Sequence, residues 1–169
     1  MDGRYSGVKA LCEQIKALTQ GIPYPVANLA NISALICESI PDVSWAGFYL
    51  REGEKLVLGP FQGKPACIEI AFGKGVCGAA AATGEIQTVP DVHAFPGHIA
   101  CDSGSASEAV APVFGRDGEV CAVLDIDSYT PGRFCDADKE WLAELSPAIA
   151  AALAQKDEPF SHGRGAKNK

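Results

Sequence analysis

Residues 107–127, SEAVAPVFGRDGEVCAVLDID, decide how the chain is organised. Two apolar runs, SEAVAPVF and EVCAVLDID, flank Asp117-Gly118, a dipeptide that fits a tight hairpin turn. In the second run Val120, Ala122, Leu124 and Ile126 alternate onto one face, leaving Cys121, Val123, Asp125 and Asp127 on the other. Aspartate is disfavoured in strands, and two carboxylates on one face of an apolar strand repel each other. The strand end frays into solvent there, Asp127 caps the next turn, or the acids serve a site. Glu108, at the start of the first run, adds a third carboxylate. Three of them converging on a pocket would suit a cationic group such as an amino-acid ammonium.

Upstream, SWAGFYLR, KLVLGPF, ACIEIAF and IQTV have the same short, apolar and β-branched character, with Glu52-Gly53 as one of the turn signals between them. The outer parts of the chain have a different period. Val8, Leu11, Cys12, Ile15 and Leu18 fall three and four apart, as do Val26, Leu29, Ile32, Ser33 and Ile36, which predicts two helices. A third is expected from about Asp136, as N-cap, to Ala154, with Trp141, Leu142, Leu145, Ile149 and Leu153 inward. A short helix from about Val76 to Ala82 interrupts the strands. The expected fold is α+β: a mainly antiparallel central sheet backed by N- and C-terminal helices. Residues 1–156 read as one domain, and the polar tail 157–169 is expected to be disordered.

At 169 residues and net charge −7, with scattered Lys and Arg, the chain does not have the basic surface that nucleic acid requires. Its apolar runs are too short to span a bilayer, and MDGRYSGVKA lacks the order of a secretion signal, so a cytoplasmic location is expected. Seven cysteines, an odd number without such a signal, do not suit a disulfide framework. Core fillers, metal ligands and reactive thiols are the alternatives.

Cys12 and Cys37 lie beside apolar helix faces and suit burial, Cys135 lies in a polar turn, and Cys121 is ambiguous. Cys67, Cys77 and Cys101 border Gly, Pro or the long stretch 90–104, which has no sustained period and reads as a loop over a site. His98, three residues before Cys101, would favour its thiolate. Cys67, Cys77, His93, His98 and Cys101 include metal-ligand types, but without close Cys-x-x-Cys pairs, and no metal is expected. In the strand at 45–51, Trp45, Gly47 and Tyr49 share a face that is either ordinary core or a wall for a small apolar group.

WAGFYL, LVLGPFQGKPAC, GKGVCGAAAATGE, DVHAFPGHIACDS, SEAVAPVF, VLDIDS and the following GRF closely resemble the free methionine-R-sulfoxide reductases, stand-alone GAF-domain enzymes. The resemblance covers roughly residues 5–153. It implies a GAF-like fold and reduction of free methionine-R-sulfoxide, a part in oxidative stress, Cys101 as the catalytic thiol and Cys67 as the resolving one, with Cys77 as a third family cysteine in the catalytic set and the alternative disulfide partner. It further implies Glu108, Asp125 and Asp127 as acidic substrate ligands and Trp45 and Tyr49 as the pocket's aromatics. A redox-active disulfide regenerated by thioredoxin would replace any bound cofactor, and similar domains often pair through their helices as homodimers. Ala106 and Glu69 depart from the family pattern, where Asn and a basic residue are common. A non-catalytic GAF sensor or binding module is the alternative function.

Overall fold

The computed structural model describes residues 7–97 and 103–154. Its elements run α1 (Val8–Thr19), α2 (Pro25–Ser39), β1 (Trp45–Glu52), β2 (Lys55–Gln62), β3 (Glu69–Ala71), α3 (Gly75–Thr83), β4 (Gln87–Val89), β5 (Ser107–Phe114), β6 (Val120–Ser128) and α4 (Lys139–Leu153). Short 3-10 turns at Val92–Ala94 and Asp136–Asp138 precede β5 and α4. The six strands form one sheet in the order β3-β2-β1-β6-β5-β4, antiparallel throughout, so every expected strand is present. Among the described residues no helix is long and apolar enough to cross a membrane. The tail expected to be disordered, 157–169, lies outside them.

Alternation along the central strands divides the interior into two cores. Ala46 and Phe48 of β1, Ala109, Ala111 and Val113 of β5, and Ala122, Leu124 and Ile126 of β6 face α1, α2 and α4. Trp45 and Tyr49, Val110 and Val123 face the other way, where α3 supplies Val76, Cys77, Ala80 and Ala81. Gly78 lets α3 lie this close, because a Cβ there would stand 2.4 Å from the carbonyl oxygen of Ala71. That second core is thinner than the first. It is where the acids and the aromatics point.

Four local expectations need correction. Val26 and Leu18 are exposed, because α2 rests on the sheet through Leu29, Ile32, Ser33 and Ile36, while α1 packs on α2 and α4 through Val8, Leu11, Ile15 and Thr19. Leu153 is half-buried and Ala148 and Ala152 complete the inner face of α4. The start of that helix is organised by Asp138 and not by Asp136. The buried Asp138 carboxylate accepts from the Cys135 backbone N–H and the Trp141 indole N–H, both at 2.8 Å, while Asp136 stays exposed and pairs with Lys139. Finally, the alternation of β6 breaks at its start. Val113 faces Ala122 but Phe114 faces Val120, so Cys121 is an extra residue, and Val120 and Cys121 take the faces opposite to those the period of two assigns.

Asp138→Ala is expected to lower unfolding stability by about 3–5 kcal/mol in urea titrations. It strands two buried donors and the Arg133 guanidinium, 3.9 Å away and itself buried.

Candidate active site

Strand register places the acids side by side. Trp45 pairs with Asp127 across β1 and β6, and Asp127 pairs with Glu108 across β6 and β5, so the three residues form one row over neighbouring strands. The next row is Gly47, Asp125 and Val110. Residues directly opposite in an antiparallel pair have Cβ atoms about 4.5–5.5 Å apart. All three carboxyls therefore share one patch of the sheet. Glu108 and Asp125 are buried and Asp127 is half-buried.

The glycine in the second row makes room for the aromatics beside the acids. A Cβ on Gly47 would stand 2.3 Å from the Phe61 Cβ and 2.6 Å from the Trp45 ring. Trp45 instead lies flat between neighbours, its ring centroid 5.2 Å from Phe61 and 6.2 Å from Tyr49. Both polar ends of the pair hold the segment after β2: the Trp45 indole N–H donates to the Lys64 carbonyl and the Tyr49 hydroxyl to the Cys67 carbonyl, each at 3.0 Å. Gly63, at φ +132°, has the backbone conformation that lets this segment turn back over Trp45. Gly47→Ala should cost about 1–3 kcal/mol of unfolding stability through overpacking. Unfolding in urea checks this, since Phe61 offers a backbone-fixed Cβ and not a movable side-chain tip.

Cys67 is disulfide-bonded, while Cys12, Cys37, Cys77, Cys121 and Cys135 carry free thiols. Cys101 and His98 lie outside the described residues. Cys77 projects from the first turn of α3 into the acid patch, with its sulfur 4.0 Å from Glu108 Oε1. Cys12, Cys37 and Cys135 are half-buried, and His93 stands exposed on its 3-10 turn. Among the described residues Cys77 groups with Glu108 and Asp125. Sequence reading also missed Phe61 and the Lys64 carbonyl, and only the Gly-Lys-Pro string between Gln62 and Ala66 hinted at a tight turn there.

Burial sets the protonation of this patch. It raises the Glu108 carboxyl well above the usual range, and the charges of Asp125 and Asp127 raise it further. Burial also raises Asp125, to about 7, against partial relief from hydrogen bonds with Cys77, Glu108 and the Ile126 backbone. The Cys77 thiol is held well above its ordinary value by burial and then by Asp125 and Glu108. It is a poor thiolate. Burial chiefly, and then Asp125, raises the Tyr49 phenol, which stays a donor. At neutral pH the patch therefore retains at least one proton, most firmly at Glu108.

These raised values have a consequence for stability. A carboxyl whose pKa is higher in the folded than in the unfolded state favours folding when protonated, fully so below its unfolded value. For Asp125 that contribution is lost as pH climbs from about 4 through about 7. The melting temperature of the ligand-free protein is expected to fall across that window, and Asp125→Asn should flatten the fall in a thermal-shift series.

A curled six-stranded antiparallel sheet with helices packed against it is the GAF architecture, and a GAF domain family model matches residues 26–154. The chain is 48% identical over 147 residues to the free methionine-R-sulfoxide reductase of Escherichia coli, spanning 87% of this chain and 88% of that one. It is 47% identical over 141 residues to the enzyme of that name from Saccharomyces cerevisiae, spanning 79% and 78%. The crystal structure of free methionine-R-sulfoxide reductase from Neisseria meningitidis in complex with its substrate superposes with a TM-score of 0.81 at 42% identity, over 86% of this chain and 87% of that one. This GAF-domain protein belongs to the free methionine-R-sulfoxide reductase family.

Proposed function

We propose that the protein reduces free methionine-R-sulfoxide to methionine with its own thiols. The observation that carries the reading is the juxtaposition of a disulfide-bonded cysteine with a patch of acids flanked by aromatics. Cys67 is tied by its carbonyl to Tyr49, on the face of β1 that looks toward Asp125 and Asp127. The carboxylates take the amino acid's ammonium, Trp45 and Tyr49 take its side chain, and the sulfinyl group meets a thiolate.

Cys101 is that thiolate in this reading. Cys77 is buried and held as a thiol. In the same reading Cys67 is the resolving cysteine, and the five other described cysteines carry free thiols. The Cys101 thiolate attacks the sulfoxide sulfur, and a proton from the Glu108–Asp125 pair goes to the sulfoxide oxygen. The protonated S–O bond breaks as the bond between the two sulfurs forms. The hydroxide so released attacks the Cys101 sulfur, the sulfur–sulfur bond breaks with its electron pair going to methionine, and Cys101 carries the oxygen as a sulfenic acid. The Cys67 thiol then forms a disulfide with Cys101 and releases water. A thioredoxin-like dithiol reduces this disulfide by exchange. No bound cofactor enters these steps. Such a reductant is found in the cytoplasm, where we place the enzyme.

The deciding assay supplies each sulfoxide epimer separately with a thioredoxin system and follows methionine release. Release from the R epimer alone is expected. Equal activity on sulfoxide within an oxidised protein would overturn the reading, because a peptide nitrogen brings no positive charge to the acids. Tight binding of the sulfoxide without turnover would make the domain a sensor instead.

A further inference from the structure

We infer that Cys77, Glu108 and Asp125 form a site for one Zn²⁺-class cation, and that an ion held there excludes the substrate's ammonium. One ligand atom from each residue lies within 4.8 Å of the other two, and all three residues are buried. Donors around a single zinc ion at 2.0–2.3 Å stand roughly 3.3–3.7 Å apart. Closing the cluster therefore needs movements of about 1 Å or less at each side chain. The residues come from β5, β6 and α3, regular elements that hold side chains more closely than loops do.

A second observation is independent of this clustering. Asp125 is 7% exposed, and although its carboxyl as a whole lies against Cys77, Glu108 and the Ile126 backbone, its Oδ1 is buried with no hydrogen-bond partner. An oxygen in that position has given up water without replacement, which is costly unless a ligand supplies the missing contact. An ammonium can supply it and so can a metal ion. The donor set selects the ion. A sulfur beside two carboxyl oxygens suits a borderline cation such as Zn²⁺, whereas Mg²⁺ and Ca²⁺ prefer oxygen alone. Three protein donors leave a fourth tetrahedral position for water.

The site itself stands on this geometry, and only the exclusion of substrate rests on the functional reading above. The test uses the full chain with its disulfide intact, titrated with zinc chloride in a calorimeter. One ion per chain is expected, with no heat from Mg²⁺ at the same concentration. Cys77→Ser and Asp125→Asn, checked for folding by circular dichroism, should each weaken binding by more than the roughly 10–100-fold that loss of a ligand's outer partner costs. Cys135→Ser should leave binding unchanged. Zinc binding of equal strength in both variants, or none in the parent, overturns the site. Should Cys77→Ser fail to fold, cadmium provides a direct reading on the parent, because coordination by Cys77 produces an ultraviolet thiolate-to-metal absorption. Absence of that band is equally fatal. Saturating methionine sulfoxide should raise the apparent zinc Kd, and an unchanged Kd overturns the exclusion. A chain that binds zinc through Cys77 without reducing the sulfoxide would sink the functional reading and spare the metal site, and the converse result would do the opposite.

Discussion

A Cys101→Ser protein is expected to release no methionine above background, whereas Cys67→Ser releases about one equivalent per chain and then stops. The contrast follows from the two roles. Removing the attacking sulfur removes the bond-forming step, and no other thiol replaces it, since Cys77 is held as a thiol by its buried, acidic surroundings. Removing the resolving sulfur leaves the first chemical step intact and strands the oxygen on Cys101. Rapid quench with quantified methionine distinguishes the two, and a sulfenic-acid trap should label only the Cys67→Ser protein. Normal cycling of Cys67→Ser with thioredoxin would remove Cys67 from the mechanism.

The second large effect concerns recognition. Asp125→Asn is expected to lower kcat/KM for the free sulfoxide by roughly 30-fold to several thousand-fold, equivalent to about 2–5 kcal/mol for breaking a buried charged pair. The diagnostic is the comparison with N-acetyl-methionine sulfoxide, which has no ammonium. The unaltered protein should strongly prefer the free compound, and the variant should lose that preference. Its stability should move the other way, because the substitution removes a carboxylate whose charge is penalised by burial. An active-site residue whose loss damages recognition but not folding is hard to mistake for a structural one. A variant that kept its preference for the free amino acid would move the ammonium elsewhere in the pocket.

The residues differ in how openly they announce their places. All six strands are legible because runs such as WAGFYLR and KLVLGPF are short, β-branched or aromatic, and bounded by turns. Asp125 and Asp127 are legible for the opposite reason, as charges where an apolar strand should have none. Their row with Glu108 is not, because it depends on the register between β5 and β6, which two distant stretches settle together. Helix phase is legible only to within one residue, which is how Val26 and Leu18 fall outside the buried stripe and Asp136 is mistaken for the residue that organises α4. The inversion at Cys121 comes from one unpaired residue, and nothing in EVCAVLDID distinguishes it from a regular strand. The neighbours of Cys77 are invisible in the sequence around it. GVCG shows a helix start beside glycine, while the acids it meets are about 30 and 50 positions away in the chain, brought close only by packing of α3 on the sheet.

Two aromatic side chains of β1, Trp45 and Tyr49, grip main-chain oxygens, at Lys64 and at Cys67, and neither contact needs sulfur. When a reductant opens the covalent link, the strap from 63 to 67 thus remains fastened at both ends. Its cysteine then searches only a small volume, and the entropy of bringing it back to a partner is far lower than for a free loop.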